Sequence, residues 1–92
     1  MLLSNRLFLM RINEAAAELG VRQSAYYEGA AAGIYPRPFK IGLKASRVPS
    51  NEVAAVVAAR IGSKSDDELR ALVTKMAAAR TENAPADAAY GC

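Results

Sequence analysis

Two runs of sequence decide the fold of this chain: INEAAAELGV at residues 12–21 and PRPFKIG at residues 36–42. The first run spaces its apolar residues at helical intervals, and Gly20 follows as a residue that readily adopts the left-handed conformation that ends helices. Asn13 is the expected N-cap, with Glu14 in the first turn, where the helix dipole favours an anion. The second run combines prolines with alternating apolar residues, which predicts a strand leading to a turn.

The residues around these runs predict a second helix and a hairpin. The second helix is expected over residues 23–32, with Gly33 as its stop. Residues 34–48 contain few helix formers and predict a strand, a turn near Gly42 and a return strand from Ser46 to Val48. A helix, a tight turn, a second helix and a basic hairpin in this order predict a winged helix-turn-helix. The fold class is therefore mainly α with a small two-stranded β wing.

Two further helices complete the predicted elements. The third is expected to begin at Pro49 and to end at Gly62, and its apolar stripe is assigned to the core: Val53, Val56, Val57 and Ile61. Ser65 and Glu68 form a capping box that opens a fourth helix. The apolar face of the fourth helix contains Leu69, Leu72, Val73 and Met76. We favour packing of this face onto its own domain; the alternative is a dimer seam, for which two heptads are few.

The predicted elements divide the chain into four segments. A chain of 92 residues supports one small domain at most. The tail is rich in Ala, Pro, Asp and Gly, a composition that buries little apolar surface. The segments are an N-terminal arm or short strand at 1–10, a winged helix-turn-helix domain at 11–62, a C-terminal helix at 63–80 and a flexible tail at 81–92.

The distribution of charge favours a polyanionic partner. The chain has 12 Lys and Arg residues against 9 Asp and Glu residues, with a formal net charge of +3. Residues 1–47 carry a net charge of +4, whereas the remainder carries −1. A local excess of cations is the electrostatic footprint of a nucleic-acid-binding face. The alternative is a solvated hairpin face. The cations that no anion interrupts are Arg37, Lys40, Lys44 and Arg47.

The residue inventory excludes several classes of site. The chain has no histidine, and its single cysteine is Cys92 at the last position, which argues against a zinc site or a Cys–His nucleophile pair. There is no Gly-rich phosphate loop and no Ser or Glu with a base partner, so we predict neither an enzyme nor a cofactor. No apolar stretch reaches 18 residues, and we expect a cytoplasmic protein that does not contact a membrane.

Three ordered blocks match the pattern of a known family. They are RINEAA, LGV and SAYY at 11–16, 19–21 and 24–27, then GIYPRPFKIG at 33–42, then RVPSNEV at 47–53. On these blocks the chain resembles the AlpA family of small phage and prophage regulators, which are related to excisionases and have a MerR-like winged helix. The resemblance implies a transcriptional regulator or an excision factor that binds double-stranded DNA. The protein partner of this chain would be an integrase or a second copy of the chain. Self-association would use the apolar face of the fourth helix, which contains Leu69, Leu72, Val73 and Met76.

The expected DNA contacts fall into two sets. The start of the second helix would enter the major groove, where side chains read base edges; this set is Arg22, Gln23, Ser24, Tyr27 and Glu28. The wing would follow the adjacent backbone, where cations bind phosphates without reading sequence; this set is Arg37, Lys40, Lys44 and Arg47. The alternative for both sets is an ordinary solvated surface. Tyr26 is expected in the core, whereas Tyr27 would pack against the wing or bond a phosphate.

Three positions depart from the family pattern, which has Ser, Thr and Arg where this chain has Arg22, Ala25 and Glu28. Arg22 removes an N-cap hydroxyl, a loss of about 1 kcal/mol, so the second helix is expected to start late or fray. Glu28 places an anion where a phosphate-facing cation is expected, although a carboxylate accepts a hydrogen bond from cytosine N4. The alternative function is therefore a protein-interaction module that has lost DNA binding and uses the fourth helix.

Overall fold

The computed structural model of the chain describes residues 7–83. Its described part is mainly helical with a small antiparallel sheet, which confirms the predicted balance of helix and strand. Residues 84–92 of the predicted tail, including Cys92, lie outside the described residues. The elements, in chain order, are β1 (Leu9–Met10), α1 (Ile12–Leu19), α2 (Gln23–Ala32), β2 (Phe39–Lys40), β3 (Ser46–Pro49), α3 (Ser50–Ile61) and α4 (Asp66–Asn83).

Glycines in the left-handed conformation end the first two helices. Gly20 has φ 72° and Gly33 has φ 86°, values that side chains with a Cβ rarely adopt. The Gly20 amide donates to the carbonyl oxygen of Ala17 at 3.1 Å, and the Gly33 amide donates to that of Ala30 at 3.1 Å. Both predicted stops are confirmed, and α2 has the predicted bounds.

The predicted N-cap of α1 is wrong. Arg11, not Asn13, holds the extended conformation before the helix, with φ −74° and ψ 158°. The carboxylate of Glu14 accepts a hydrogen bond from the Arg11 amide at 2.9 Å. The early start places Ile12 in the first turn, where it is buried in the core, and this burial outweighs the local preference of Asn13 for the cap.

The sheet has three strands: β2 and β3, which are the two strands of the predicted hairpin, and β1, which lies in the segment predicted as an arm or short strand. β3 lies at its centre, with β1 and β2 as the two edges. Strand β1 joins the sheet because Met10 and Val48, which share a face, are both buried over the core. The predicted hairpin is confirmed as β2 and β3. The antiparallel registers are Leu9 opposite Pro49, Met10 opposite Val48, Phe39 opposite Arg47 and Lys40 opposite Ser46.

The core lies between the helices and the inner face of the sheet. Val53 and Val56 of α3 are buried and Val57 is half-buried, as predicted, but Ile61 is 79% exposed. Ile61 is the last residue of α3, so its position on the apolar stripe lies beyond the end of the core. The buried apolar residues are Met10, Ile12, Ala15, Ala16, Tyr26, Ala30, Tyr35, Val48, Val53, Val56, Leu69 and Val73.

Helix α4 packs onto its own domain. The predicted capping box opens it: the Ser65 amide donates to Oε1 of Glu68 at 2.8 Å, and the Glu68 amide donates to Oγ of Ser65 at 3.2 Å. The hydrogen bond from the Ser65 amide lowers the pKa of Glu68. Leu69 and Val73 lie in the core, which confirms the favoured intramolecular packing. The other two residues of this face, Leu72 and Met76, are half-buried.

The C-terminal bound of α4 differs from the prediction. The helix continues past residue 80 to Asn83, into the segment predicted as tail. Arg80 pairs with Glu52 of α3, and this contact holds the last turns against the domain. No helix of residues 7–83 is long and apolar enough to cross a bilayer.

Candidate nucleic-acid interface

Helix α2 has one buried and one exposed face. Tyr26, Gly29 and Ala30 are buried. The predicted base-reading residues lie on the other face, and all of them are exposed: Gln23, Ser24, Tyr27 and Glu28. Gln23 and Tyr27 are four residues apart, as are Ser24 and Glu28, so the four side chains form one continuous stripe. Glu28 therefore belongs to the same surface as the predicted reading residues. Tyr27 is 47% exposed.

The start of α2 lacks a side-chain cap. Arg22 occupies the N-cap position in extended conformation, and its side chain makes no capping hydrogen bond. The helix nevertheless begins at Gln23, and the Tyr26 amide donates to the Arg22 carbonyl at 3.0 Å, so the late start expected from the missing hydroxyl does not occur. The burial of Tyr26 in the first turns supplies the stability that the cap lacks. Arg22 itself is exposed.

The segment between α2 and the hairpin is fixed on the buried face of α2. The Tyr26 hydroxyl donates to the Pro36 carbonyl at 2.7 Å, and the ring of Tyr26 stacks on that of Tyr35 with centroids 5.2 Å apart. Burial, and secondarily the Glu52 carboxylate, raises the pKa of Tyr26, so the hydroxyl remains a donor. Gly29 permits this packing, because a Cβ there would lie 2.2 Å from the Tyr35 ring.

The hairpin presents most of its cations to solvent. Arg37, Lys40 and Lys44 are exposed, whereas Arg47 is half-buried and donates from Nη1 to the Ser46 carbonyl at 2.9 Å. The turn also exposes apolar side chains, since Ile41 is 50% and Leu43 is 93% exposed. Three of the four predicted hairpin cations are therefore exposed, and the fourth is half-buried.

Among residues 7–83, the candidate cations differ from three other arginines in forming no ion pair with a carboxylate. Arg60, Arg70 and Arg80 pair with Asp66, Asp67 and Glu52 at 3.4, 3.0 and 2.7 Å. Within residues 7–83, no carboxylate pairs with any cation of the two predicted contact sets. Those cations are Arg22, Arg37, Lys40, Lys44 and Arg47.

Sequence reasoning missed two residues at the base of the hairpin, Glu52 and Arg80. The Glu52 carboxylate is 5% exposed and accepts from Nε of Arg80 at 2.9 Å and from Nη2 at 2.7 Å. Nη2 of Arg80 also donates to the Arg37 carbonyl at 3.0 Å, and the guanidinium lies 5.4 Å from the centroid of the Phe39 ring. Glu52 and Arg80 are 28 residues apart, and no local pattern links them.

An apolar groove of about 520 Å³ lies on the outer face of the sheet, beside β1. Leu7, Phe8 and Leu9 form one wall and are 72%, 49% and 47% exposed. Phe39 and Pro49 also line it. No group of three acidic or cysteine side chains in the described part of the chain is placed to hold a metal ion.

The search for related proteins gave no match to this chain among protein-family models, curated proteins or solved structures.

Proposed function

We propose that this chain binds double-stranded DNA as a winged helix-turn-helix protein, with α2 in the major groove and the β2–β3 hairpin along the adjacent backbone. The observation that carries the proposal is the set of exposed hairpin cations that form no ion pair within residues 7–83: Arg37, Lys40 and Lys44. Cations left without carboxylate partners attract a polyanion, and their binding to phosphates releases counterions.

The exposed stripe of α2 supplies the chemistry for reading bases. Arg22 suits guanine O6 and N7, Gln23 suits adenine N6 and N7, and Glu28 accepts from cytosine N4. The resemblance to AlpA-type proteins supports the same placement of α2 and hairpin. It favours a phage- or prophage-type role as a transcriptional regulator or as an excision factor acting with an integrase.

The test is the binding of a labelled duplex of about 25 base pairs, followed by fluorescence anisotropy between about 50 and 200 mM salt. We expect a log–log slope of about −3 to −5, because several phosphates are neutralised. Replacing both hairpin lysines in Lys40→Ala/Lys44→Ala should weaken binding to all duplexes alike and flatten the slope by about 2. Lys64→Ala/Lys75→Ala is the matched control, since it removes the same charge at exposed positions outside the hairpin and α2.

Two outcomes would contradict the proposal. If the hairpin variant and the matched control bind alike, the hairpin does not bind phosphate. If the native chain does not bind DNA even at about 50 mM salt, the function is a different one.

Direct readout of bases by α2 has its own test. Gln23→Ala should relax the preference at one base position by about 1–3 kcal/mol. Loss of affinity without loss of preference would exclude base reading by Gln23.

The second candidate is a protein-interaction module, and the apolar groove favours it. Leu7, Phe8 and Leu9 expose apolar surface beside an edge strand, a combination found where an extended peptide adds to a sheet. Leu9→Asp would block such binding without altering the hairpin cations. A chain that fails to bind DNA but captures a partner, and loses it on Leu9→Asp, would establish this function instead.

A further inference from the structure

Helix α4 contacts both elements of the proposed DNA interface. Near its start, Nε of Arg70 donates to the Ala32 carbonyl at the C-terminal end of α2, at 2.9 Å. Near its end, Nη2 of Arg80 donates to the Arg37 carbonyl at the base of the hairpin, at 3.0 Å. Ten residues of helix separate the two arginines, which is about 15 Å along the axis.

We infer that α4 sets the position of α2 relative to the β2–β3 hairpin, with Arg70 and Arg80 as positioning residues. The inference rests on the proposed function for its consequence in DNA binding. Leu69, which precedes Arg70, and Val73, which lies between the two arginines, are buried in the core at 0% and 9% exposure. The helix is therefore fixed to the domain along the same stretch that supports both contacts.

The Arg80 contact requires a guanidinium. One side chain donates twice to the buried Glu52 carboxylate, once to the Arg37 carbonyl, and stacks over the Phe39 ring. The planar, forked guanidinium makes these contacts together, whereas a lysine ammonium is a point charge without a fork. Arg80→Lys therefore preserves the net charge of the chain while removing the geometry.

Arg70 makes the contact between α4 and the C-terminal end of α2. The last carbonyls of a helix have no partner within it, and Arg70 satisfies that of Ala32 while it also pairs with Asp67 at 3.0 Å. Its aliphatic carbons lie against Gly33, since a Cβ at Gly33 would meet Cγ of Arg70 at 3.6 Å. One side chain of α4 therefore lies against both the last residue of α2, Ala32, and the glycine that ends the helix, Gly33.

The first experiment measures the position of the hairpin directly and needs no DNA. Spin labels at Leu43→Cys and Ala31→Cys, both exposed sites, are placed in a Cys92→Ser chain for double electron–electron resonance. The native arrangement should give one narrow distance, and Arg80→Lys should broaden or shift it. Arg60→Lys is the matched control, because Arg60 pairs with an exposed aspartate and, within residues 7–83, forms no hydrogen bond or ion pair with α2 or the hairpin. A distance unchanged by Arg80→Lys would overturn the inference.

The second experiment measures the consequence for DNA. Because the two elements bind together only when their spacing is preorganised, Arg80→Lys should weaken duplex binding about tenfold. The salt slope should flatten although the net charge is unchanged, since a displaced hairpin neutralises fewer phosphates. Lys40→Ala should then cost less affinity in the Arg80→Lys background than in the native chain, since the displaced hairpin contributes less. Arg70→Lys should act in the same direction.

A merely structural effect is distinguished by Ser65→Ala, which removes the cap of α4 without touching α2 or the hairpin. If Ser65→Ala lowers the melting temperature as much as Arg80→Lys does, it should still bind DNA as the native chain does. If Arg80→Lys and Ser65→Ala weaken binding equally, or if the Lys40→Ala penalty is the same in both backgrounds, the positioning role is refuted. If the native chain binds no DNA, the proposed function fails, and the spin-label distance still decides whether α4 positions the hairpin.

Discussion

The substitution Gly29→Ala tests how tightly Tyr35 packs against α2. Helix propensity alone predicts a gain, because alanine is about 1 kcal/mol better than glycine within a helix. The structure predicts a loss. The new Cβ would lie 2.2 and 2.4 Å from two carbons of the Tyr35 ring, whereas ordinary contact begins at 3.4 Å. The ring would have to move by about 1.2 Å, the difference between 3.4 and 2.2 Å.

The Tyr35 ring has little room for that movement. It is 7% exposed and stacks on Tyr26, which is fully buried and bonded to Pro36. Overpacking of a rigid core costs up to about 3 kcal/mol, and the propensity gain offsets about 1 kcal/mol. The net result is a loss of about 2 kcal/mol, which corresponds to a fall in melting temperature of roughly 8–16 °C in a domain of this size.

Thermal and urea unfolding, followed by circular dichroism, measure the effect. Ala31→Gly, on the exposed face of the same helix, is the control for propensity and should cost about 1 kcal/mol. In a Tyr35→Leu background the ring is absent, so Gly29→Ala should become neutral or stabilising. A higher melting temperature for Gly29→Ala in the native background would refute the packing argument.

Four further predictions concern buried, capping and exposed positions. Tyr26→Phe removes the donor to the Pro36 carbonyl and should lower the free energy of unfolding by about 1–2 kcal/mol. Because the pKa of Tyr26 is raised, the folded state keeps the phenol proton to a higher pH than the unfolded state does. The native chain should therefore lose stability above about pH 10, and the variant should not. Ser65→Ala should cost about 1 kcal/mol in urea unfolding. Glu68, whose pKa is lowered, should contribute stability above about pH 4.3 that fades on acidification, and an acid limb identical in Glu68→Gln would contradict this. Ile61→Ser should change the unfolding free energy by less than about 0.5 kcal/mol; a larger loss would mean that Ile61 is buried.

Much of the candidate interface follows from local patterns. The exposed stripe of α2 could be predicted because helical spacing separates it from Tyr26 and Ala30, which are buried. The hairpin could be predicted because prolines and alternation exclude a helix from that segment. The cations of the hairpin follow from the same segment, since no residue from Pro36 to Arg47 is an anion.

The contacts that hold these elements together could not be predicted in this way. Strand β1 joins the sheet through residues about forty positions away, as in the Ser50 amide that donates to the Phe8 carbonyl at 2.8 Å. The exposure of Ile61 depends on where α3 leaves the core, which periodicity does not specify. The ion pair between Glu52 and Arg80 joins α3 and α4, and no sequence pattern in either helix identifies the other as its partner.

The sequence by itself determined the features that neighbouring residues decide: the glycine stops at Gly20 and Gly33, the bounds of α2 and the capping box of Ser65 and Glu68. Each depends on the conformational preference or hydrogen bonding of residues at most a few positions apart. Only the tertiary structure decided which apolar faces meet, that β1 completes the sheet, and that Arg80 holds the hairpin. These outcomes depend on burial and geometry between distant segments. A periodic pattern shows that one face of a helix or strand is apolar, but it does not identify the residues that pack against that face.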